Sequence, residues 1–591
     1  MIRHCSWRTA ASIGLFSIMS TQDPFKVYSA DRVLVYITAS FVFLGQVIYT
    51  LPEKARARSF LWVFFLLSLT PYLSNNISVR VAQPATQLKY PERHPVQILV
   101  QNARTNFENM LQAQSRNFTA AHEEYRRRYK MDPPPGFEAW YAFAESHQSP
   151  IIDEFDLIHE AISPLLKLSG QEIRDAMELV QDIPGSELWA CDFSGREGTT
   201  HCTHAQRTFD RNIGFMFNTL FRDLGGSLPD VKVLVNHIDE PRVLFPLEGS
   251  TQDNGRSALT IMSKRSVWDS LTKYCAFTKS DRTSTRQLVM AEKDFALPFV
   301  TDLVSATDLC RNPEYGNMHG LLMSPLSFRL LEGSIPVLST GSLSTMGDIL
   351  YPSAAYMEPE FLYEEAHDVD WDNKKNNLYW AGSTTGGFAQ DNSWRHYHRQ
   401  RFVELAQNIQ KRQHSYLREE DGVLRRITTS FLNSRMFDVA FTRIFQCTTR
   451  RCNDERAYFK VKSWEDANRP FKSRLVFDMD GNGISGRFYK LLASRSTPLK
   501  QTILREWHDE RLIPWLHYVP VSQGLEELPE LVSHLTSTEA GQEAARFIAE
   551  QGRAWYAQAF REVDRTIYMY RLLLELARLQ DPKRQPQHGS I

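Results

Sequence analysis

The chain has 591 residues, and its charges are balanced, with 68 Lys and Arg against 69 Asp and Glu. A chain of this length exceeds one ordinary core, so two or three domains are predicted. There is no basic excess of the kind that marks nucleic-acid binding, and we expect no nucleic-acid partner.

The first 73 residues predict a membrane anchor. Val33–Leu51 is an uncharged apolar run long enough to span a bilayer. A shorter run, Phe60–Leu73, could span a thin membrane or lie re-entrant. Basic residues lie both before the first run and between the two runs, so the positive-inside rule leaves one span or two open. In either case we expect the chain from about Ser74 onward to lie in the lumen of the ER or Golgi.

Six cysteines follow the predicted anchor, an even number that predicts disulfides in an oxidising compartment. They are Cys191, Cys202, Cys275, Cys310, Cys447 and Cys452. Cys447 and Cys452 are the most plausible local pair. A zinc site is the alternative, because zinc ligands also occur together at His201, Cys202 and His204. Their spacing fits no standard zinc finger, so the disulfide interpretation is favoured. Asn117 opens a glycosylation sequon, in agreement with a lumenal body.

Periodicity and composition predict five segments. They are an anchor (1–73), a charged helical stem (74–184), a first α/β domain (185–375), a second α/β domain (376–530) and closing helices (531–591).

In the first α/β segment, Val231–Val235 is a continuous apolar run that predicts a buried strand of the parallel type. Catalytic residues of α/β folds collect just past the carboxyl ends of strands. Asp239 and Glu240 lie there, and Asp239 is the better candidate for a base because it falls on the turn itself. A carboxylate that only caps the turn is the alternative.

In the second α/β segment, the strand Leu378–Trp380 enters the small-residue loop Ala381–Gly387, whose amides and hydroxyls could bind an anion. Arg395, Arg399 and Arg401 then crowd the start of a helix. The helix dipole disfavours cations at that end, so their presence predicts an anionic ligand.

A second glycine loop follows the apolar run Leu475–Phe477. Strand, glycine loop and helix form the unit that cradles phosphate in α/β proteins. Arg487, expected in the first turn of that helix, opposes the dipole unless an anion is present. A bound diphosphate is the first interpretation, and a purely structural glycine turn is the alternative.

Asp478 and Asp480 form a D-x-D that could hold a metal-bound nucleotide sugar. The same residues open like a calcium loop, but position twelve is Tyr489 rather than a bidentate acid, and a strand leads in where a helix is needed. Calcium is therefore rejected, and metal binding by the D-x-D remains a weak alternative.

Several blocks resemble one known family. GSTTGG with HRQRF, DMDGNGISGRFYKLLAS and EWHDERLIPWLHYVPV resemble the capsule-associated-protein and Rumi-type protein O-glucosyltransferase family, which is glycosyltransferase family ninety. RRYKMDPPPGFEAW and IIDEFDLI resemble its fungal capsule-associated branch. The resemblance implies a GT-B fold, with two Rossmann-like domains facing a cleft. It also implies an inverting transfer from a UDP-sugar without a metal ion or other cofactor.

The resemblance assigns roles to individual residues. It implies that Asp239 is the general base, and that Arg399 is the helix-start arginine, with Arg395 and Arg401 as rivals. The implied donor-binding residues are Gly382, Ser383, Thr384, Arg399, Asn482, Gly483, Ser485, Gly486 and Arg487. Many members have Arg where this chain has Ala381, so that cation must come from elsewhere or be dispensable. The segment SAAYMEPEFLYEE does not resemble the acceptor loop of Rumi-type enzymes, which favours a glycan acceptor over a small protein module.

The hypothesis is a lumenal glycosyltransferase that transfers xylose, or next glucose, from a UDP-sugar to a glycan or glycoprotein acceptor. A non-catalytic lumenal lectin or scaffold is the alternative, but a lectin would not need the base. A phosphate-handling enzyme of another kind would need a metal-binding cluster that the sequence does not offer.

Overall fold

In the computed structural model of the protein, the described residues are 83–87, 92–246 apart from residue 182, 258–275, and 295–587 apart from residue 421, with the single residues 45 and 48. Apart from those two single residues, the predicted membrane spans Val33–Leu51 and Phe60–Leu73 lie outside the described residues. Among the helices that are described, none is long and apolar enough to cross a membrane. The membrane anchor therefore stays a prediction.

The described chain is a mixed α/β structure, as predicted. Its strands are β1 (Gln83–Gln87), β2 (Leu188–Ser194), β3 (Thr199–Thr203), β4 (Val231–Asn236), β5 (Val243–Leu244), β6 (Ala258–Ile261), β7 (Arg329–Glu332), β8 (Val337–Ser339), β9 (Ile349–Leu350), β10 (Lys375–Ser383), β11 (His414–Glu420), β12 (Val423–Thr429), β13 (Phe437–Arg443), β14 (Ser473–Met479), β15 (Thr497–Gln501) and β16 (Val519–Pro520). Its α-helices are α1 (Pro95–Ala113), α2 (Phe118–Tyr129), α3 (Phe137–Ser146), α4 (Asp156–Ile162), α5 (Gly170–Gln181), α6 (Ile213–Phe221), α7 (Trp268–Leu271), α8 (Leu303–Thr307), α9 (Gly320–Met323), α10 (His398–Ala406), α11 (Thr449–Tyr458), α12 (Phe488–Leu492), α13 (Leu528–Ser537), α14 (Glu539–Ala559) and α15 (Glu562–Leu579).

The first large sheet has the strand order β3-β2-β4-β8-β9. β4 is buried, as its apolar sequence predicted, but it runs antiparallel to β2 and parallel to β8. The predicted parallel pairing is therefore found on the β8 side of β4 and not on the β2 side. Burial of both faces produces the apolar run whatever the direction of the neighbours, and α15 is one of the elements that contact β4.

The second large sheet has the order β13-β10-β14-β15-β16, and all of its paired neighbours are parallel. Its centre is apolar, since Leu475, Val476 and Phe477 of β14 are at most 2% exposed. The carboxyl ends of parallel strands meet at one edge of a sheet. The loops that follow β10 and β14 are therefore neighbours.

The predicted helical stem is helical from α1 to α5, but these helices do not stand apart from the body. Tyr125 of α2 is buried and donates its hydroxyl hydrogen to Glu575 of α15, at 3.0 Å. The indole N–H of Trp140 donates to the carbonyl of Ile567, also at 3.0 Å. The aromatic side chains of α2 and α3 share one core cluster with the last helix.

Three disulfides join the six predicted cysteines in pairs: Cys191–Cys202, Cys275–Cys310 and Cys447–Cys452. The local pair predicted from spacing is confirmed. Cys191 and Cys202 lie directly opposite each other on β2 and β3. Cys202 is therefore committed to a disulfide, which removes the zinc interpretation of its neighbourhood.

Candidate active site

Two small-residue loops meet at the carboxyl edge of the second sheet. One follows β10 and the other follows β14, and the backbone N–H of Gly386 donates to Asn482 Oδ1 between them, at 3.1 Å. Gly386 has a φ of +100°, and a Cβ there would lie 2.9 Å from the carbonyl oxygen of Gly481. Only glycine combines that backbone conformation with so close an approach. The two predicted ligand loops thus interlock.

Arg399 donates hydrogen bonds to both loops. It is the second residue of α10 and is 6% exposed. Its guanidinium donates to four oxygens: Asp480 O (2.8 Å), Ser383 O (3.0 Å), Thr385 Oγ1 (2.7 Å) and Met479 O (3.4 Å). A guanidinium has five N–H groups, so one remains for a ligand. Arg399 thus lies beside both predicted ligand loops, and most of its side chain fixes their backbone.

The two rival arginines face other partners. Arg401 donates to the carbonyls of Gln523 and Gly524. Arg395 lies over the rings of Trp394 and Tyr458. Neither side chain makes a described contact with the two glycine loops, so among the three arginines Arg399 is the one that contacts them.

Arg487 lies beside the end of β10. Its Nη1 donates to the carbonyl of Ala381 at 2.7 Å, and its Nε is 3.9 Å from a carboxylate oxygen of Asp478. Its side chain is 27% exposed. A Cβ on Gly382 would lie 2.7 Å from the ring of Trp380 and 3.3 Å from Arg487 Nη2, so glycine at this position makes room for the guanidinium.

The helix-dipole argument for Arg487 is corrected by the structure. Arg487 is the N-cap of α12 rather than a residue of its first turn, and α12 has only five residues. Such a short helix has a small macrodipole. The buried carboxylate of Asp478 and the ring of Trp380, whose centroid is 5.7 Å from the guanidinium, compensate the cation instead.

The guanidiniums of Arg399 and Arg487 both lie over Trp380, 5.8 and 5.7 Å from its ring centroid. Burial first, and then the charge of Arg487, lowers the pKa of Arg399. Attraction between a cation and an aromatic face offsets part of the repulsion between the two cations. An anion bound between Arg399 and Arg487 would offset the repulsion that remains between them.

Two predicted donor-binding hydroxyls have partners inside the protein. Thr384 Oγ1 donates to Phe445 O at 2.7 Å and accepts from Phe445 N at 3.0 Å. Ser485 Oγ donates to the carboxylate of Asp478. Both residues are buried. Ser383, by contrast, is partly exposed at the end of β10 and contacts Thr385 Oγ1 at 3.4 Å. Ser383 is therefore the hydroxyl better placed for a ligand.

Replacing Thr384 with Val is expected to lower the free energy of unfolding by about 1–3 kcal/mol, because a buried N–H and a carbonyl lose their partner. The affinity for UDP should not change. Thr384→Ser keeps the hydroxyl and is the matched control. Chemical denaturation and calorimetric titration with UDP measure the two effects. If the variant loses UDP affinity without losing stability, the Thr384 hydroxyl binds the ligand and its bonds to Phe445 are not its main role.

The two aspartates of the D-x-D are directed into the protein. Asp478 and Asp480 are 0% and 2% exposed. Asp478 faces Lys500 at 3.7 Å as well as Arg487, and Asp480 Oδ2 accepts from Ile503 N at 2.9 Å. Burial raises the pKa of both carboxyls. Their contacts favour a structural role beneath the loop over a metal site on its surface.

Asp239 is held against the second glycine loop. A Cβ on Gly483 would lie only 2.1 Å from the carbonyl oxygen of Asp239, so the two backbones are in direct contact. The side chain of Asp239 is 41% exposed. Gly486, further along the loop, packs beside Phe361 and Ala355. The structure thus brings the predicted base and the predicted donor residues into one site.

Glu240, the rival carboxylate, is 1% exposed and accepts from the backbone N–H and the hydroxyl of Ser327. Burial, with a contribution from the charge of Asp239, raises the pKa of Glu240 to about 7. That value would suit a base, but a substrate cannot reach the buried carboxylate. Accessibility therefore favours Asp239.

Sequence reasoning missed a stacked histidine pair beneath the loops. The rings of His319 and His398 lie 3.7 Å apart and 1° from parallel. His398 Nδ1 accepts from Gly320 N, so Nε2 carries the hydrogen and donates to the carbonyl of Asp480 at 2.9 Å. Burial lowers the pKa of both rings. His398 belongs to the quoted HRQRF block, but nothing in the sequence pointed to His319.

Among the described residues, His94, Glu530 and His534 form one buried group of possible metal ligands. His94 Nε2 lies 2.9 Å from Glu530, but the two rings are stacked at 3.5 Å and 8°. A metal ion must lie in the plane of each imidazole that binds it, and two nearly parallel planes 3.5 Å apart do not converge. Burial lowers the pKa of His94 to about 3. The geometry favours a neutral stacked pair over a metal centre.

A parallel sheet whose glycine loops meet at its carboxyl edge is the arrangement of nucleotide-binding α/β proteins. Residues 354–590 match the family model Glycosyl transferase family 90. The matched part contains both glycine loops together with Arg399 and Arg487. It supports both the family resemblance and a glycosyltransferase activity. Asp239 precedes the matched part, and the contact with Gly483 joins it to that part.

Proposed function

We propose that this protein is an inverting glycosyltransferase of the GT-B type. It uses a UDP-sugar, with xylose as the first candidate and glucose as the next, and a glycan or glycoprotein hydroxyl as acceptor. Its sequence blocks resemble those of the fungal capsule-associated branch of the family. The observation that carries the proposal is the contact between Gly483 and Asp239, which places an exposed carboxylate beside the interlocked loops.

In the proposed reaction, Asp239 accepts the proton of the acceptor hydroxyl as its oxygen attacks the anomeric carbon. The new carbon–oxygen bond forms on the face opposite the phosphate, and the bond to the phosphate oxygen breaks with its electron pair. UDP then leaves as the anion. Attack from the opposite face inverts the anomeric centre.

On the donor side, the diphosphate would lie over the loops at Ser383 and Asn482, near the N–H groups of Gly483 and Gly486. Arg487, whose described hydrogen bonding uses one N–H, supplies the main positive charge. It reaches the carbonyl of Ala381, so it can provide the cation that many relatives carry at that position. Fixed cations and N–H groups at the leaving diphosphate do the work that a metal ion does elsewhere.

The three disulfides support a compartment that allows them to form. We therefore place the catalytic part in the lumen of the ER or Golgi, attached through the N-terminal apolar segments. The two large sheets would be the cores of the two Rossmann-like domains, with Asp239 on one and the donor loops on the other.

The purified chain without its first 73 residues, incubated with a panel of UDP-sugars, is expected to release UDP and to prefer UDP-xylose. Addition of EDTA should leave the rate unchanged, because arginines and loop amides replace the metal. The measurement is UDP release with and without glycan acceptors, followed by mass spectrometry of the product. Glycan binding without any release of UDP would support a lectin instead, and complete inhibition by EDTA would restore the D-x-D as a metal site.

A further inference from the structure

Arg211 lies on the turn before α6 and contacts the carboxylate of Asp239. Its Nη1 donates to Asp239 Oδ1 at 2.6 Å and to the backbone carbonyl of His237 at 3.0 Å. One guanidinium nitrogen therefore holds both the side chain of the candidate base and the backbone just before it. The planar guanidinium restricts the directions in which such bonds can form, so the contact fixes the orientation of the carboxylate.

The turn that carries Arg211 has an unusual backbone. Arg211 and Asn212 both have left-handed conformations, with φ of 55° and 64°. Such conformations are uncommon for residues other than glycine and concentrate at functional sites. Asp210 Oδ2 accepts from Gly214 N at 2.7 Å, which ties the turn to the start of α6. The arginine is thus presented from an anchored segment.

Stability alone does not account for this pair. The side chains of Arg211 and Asp239 are 50% and 41% exposed, and exposed ion pairs contribute little to stability. The ion pair can instead contribute by fixing the orientation of the Asp239 carboxylate. Oδ1 is occupied, and the described residues place no hydrogen bond on Oδ2, which leaves that oxygen for a substrate hydroxyl.

The other titratable groups near Arg211 do not compete for its role. His237 accepts from the indole N–H of Trp189 at 3.0 Å, and burial, followed by Arg207 and Arg211, lowers its pKa to about 4. The ring is therefore neutral near pH 7. Glu358 also feels the charge of Arg211, but no hydrogen bond joins the two among the described residues. Among these titratable groups, Asp239 is the one to which Arg211 donates a described hydrogen bond.

We propose that Arg211 is the positioning residue of the general base, holding Asp239 Oδ1 so that Oδ2 faces the acceptor hydroxyl. The proposal rests on the assignment of Asp239 as the base. It adds a residue from outside the part matched by the family model, on the acceptor side of the site.

Arg211→Ala is expected to lower kcat by about 10–100-fold, since a base displaced by a fraction of an ångström loses much of its effect. The KM for the UDP-sugar should stay unchanged. Guanidinium ion added to the Arg211→Ala enzyme should restore part of kcat, and Arg211→Lys should keep part of it. Arg207→Ala is the matched control, because Arg207 lies on the same segment and pairs with Glu187, outside the site. Its kcat should stay near that of the wild type.

A second measurement does not depend on transfer. Modification of Asp239 by a water-soluble carbodiimide, followed by peptide mass spectrometry, should be faster in Arg211→Ala than in the wild type or in Arg207→Ala. If Asp239 is modified at the same rate in all three proteins, Arg211 does not contact the carboxylate in solution, whatever the transfer activity. An unchanged or higher kcat in Arg211→Ala would overturn the positioning role. If labelling changes but the wild type transfers no sugar from any UDP-sugar, the proposed function fails while the contact stands.

Discussion

Replacement of Asp239 by Asn is expected to reduce sugar transfer by about 10³-fold, within the range of a lost general base. Asparagine keeps the shape of the side chain and can still accept the hydrogen bond from Arg211. It cannot take the proton of the acceptor hydroxyl. Under the proposed function the affinity for UDP should be unchanged, because the Asp239 carboxylate contacts Arg211 and is not among the groups proposed to bind the diphosphate. Initial rates and calorimetric titration with UDP measure the two quantities.

Glu240→Gln is the matched control for this substitution. Glu240 is the adjacent carboxylate, and a glutamine can still accept from Ser327 N and donate to its hydroxyl. Because the side chain is 1% exposed, its variant should retain transfer within about fivefold of the wild type, as expected for an intact base and site. If Glu240→Gln loses transfer and Asp239→Asn keeps it, the buried carboxylate is the base and the assignment made here is wrong.

The meeting of the two glycine loops could be predicted from sequence because its signals are local. Buried apolar strands followed by glycines and small residues place two loops at one sheet edge, and the structure joins them through Asn482 and Gly386. What each side chain does there could not be predicted. Arg399 and Thr384 look like ligand residues in the sequence, yet most of their hydrogen bonds go to backbone groups of loops distant in sequence. Those partners exist only once the strands are adjacent.

The surroundings of Asp239 gave weaker signals. The apolar run of β4 placed Asp239 just past a buried strand, but it could not reveal that the neighbouring strand β2 runs antiparallel. Arg211 belongs to no motif, and its contact with the base depends on two successive left-handed residues that composition does not indicate. The charged helix α2 shows a related limit. Its sequence is typical of a solvated helix, and the burial of Tyr125 follows only once its partner α15 is known.

Gly483→Ala is expected to lower kcat by about 10²-fold, the effect of a misplacement of roughly 1 Å at a reacting group. The added Cβ would lie 2.1 Å from the carbonyl oxygen of Asp239 and 2.9 Å from its carbonyl carbon. Neither atom belongs to a flexible side chain, so the loop and the base must move apart. Gly481→Ala is the matched control, since a Cβ there would meet its nearest atoms at 3.5–3.8 Å, which is ordinary contact.

The two variants share one loop, and neither glycine has a left-handed φ, so loss of glycine flexibility affects both similarly. Steady-state kinetics with saturating donor and acceptor, together with thermal unfolding, separate catalysis from stability. A Gly483→Ala enzyme with wild-type kcat would mean that Asp239 does not act from its position against this loop. A fall in kcat for Gly483→Ala alone, with both proteins folded, would tie the reaction to the place where the base meets the donor loop.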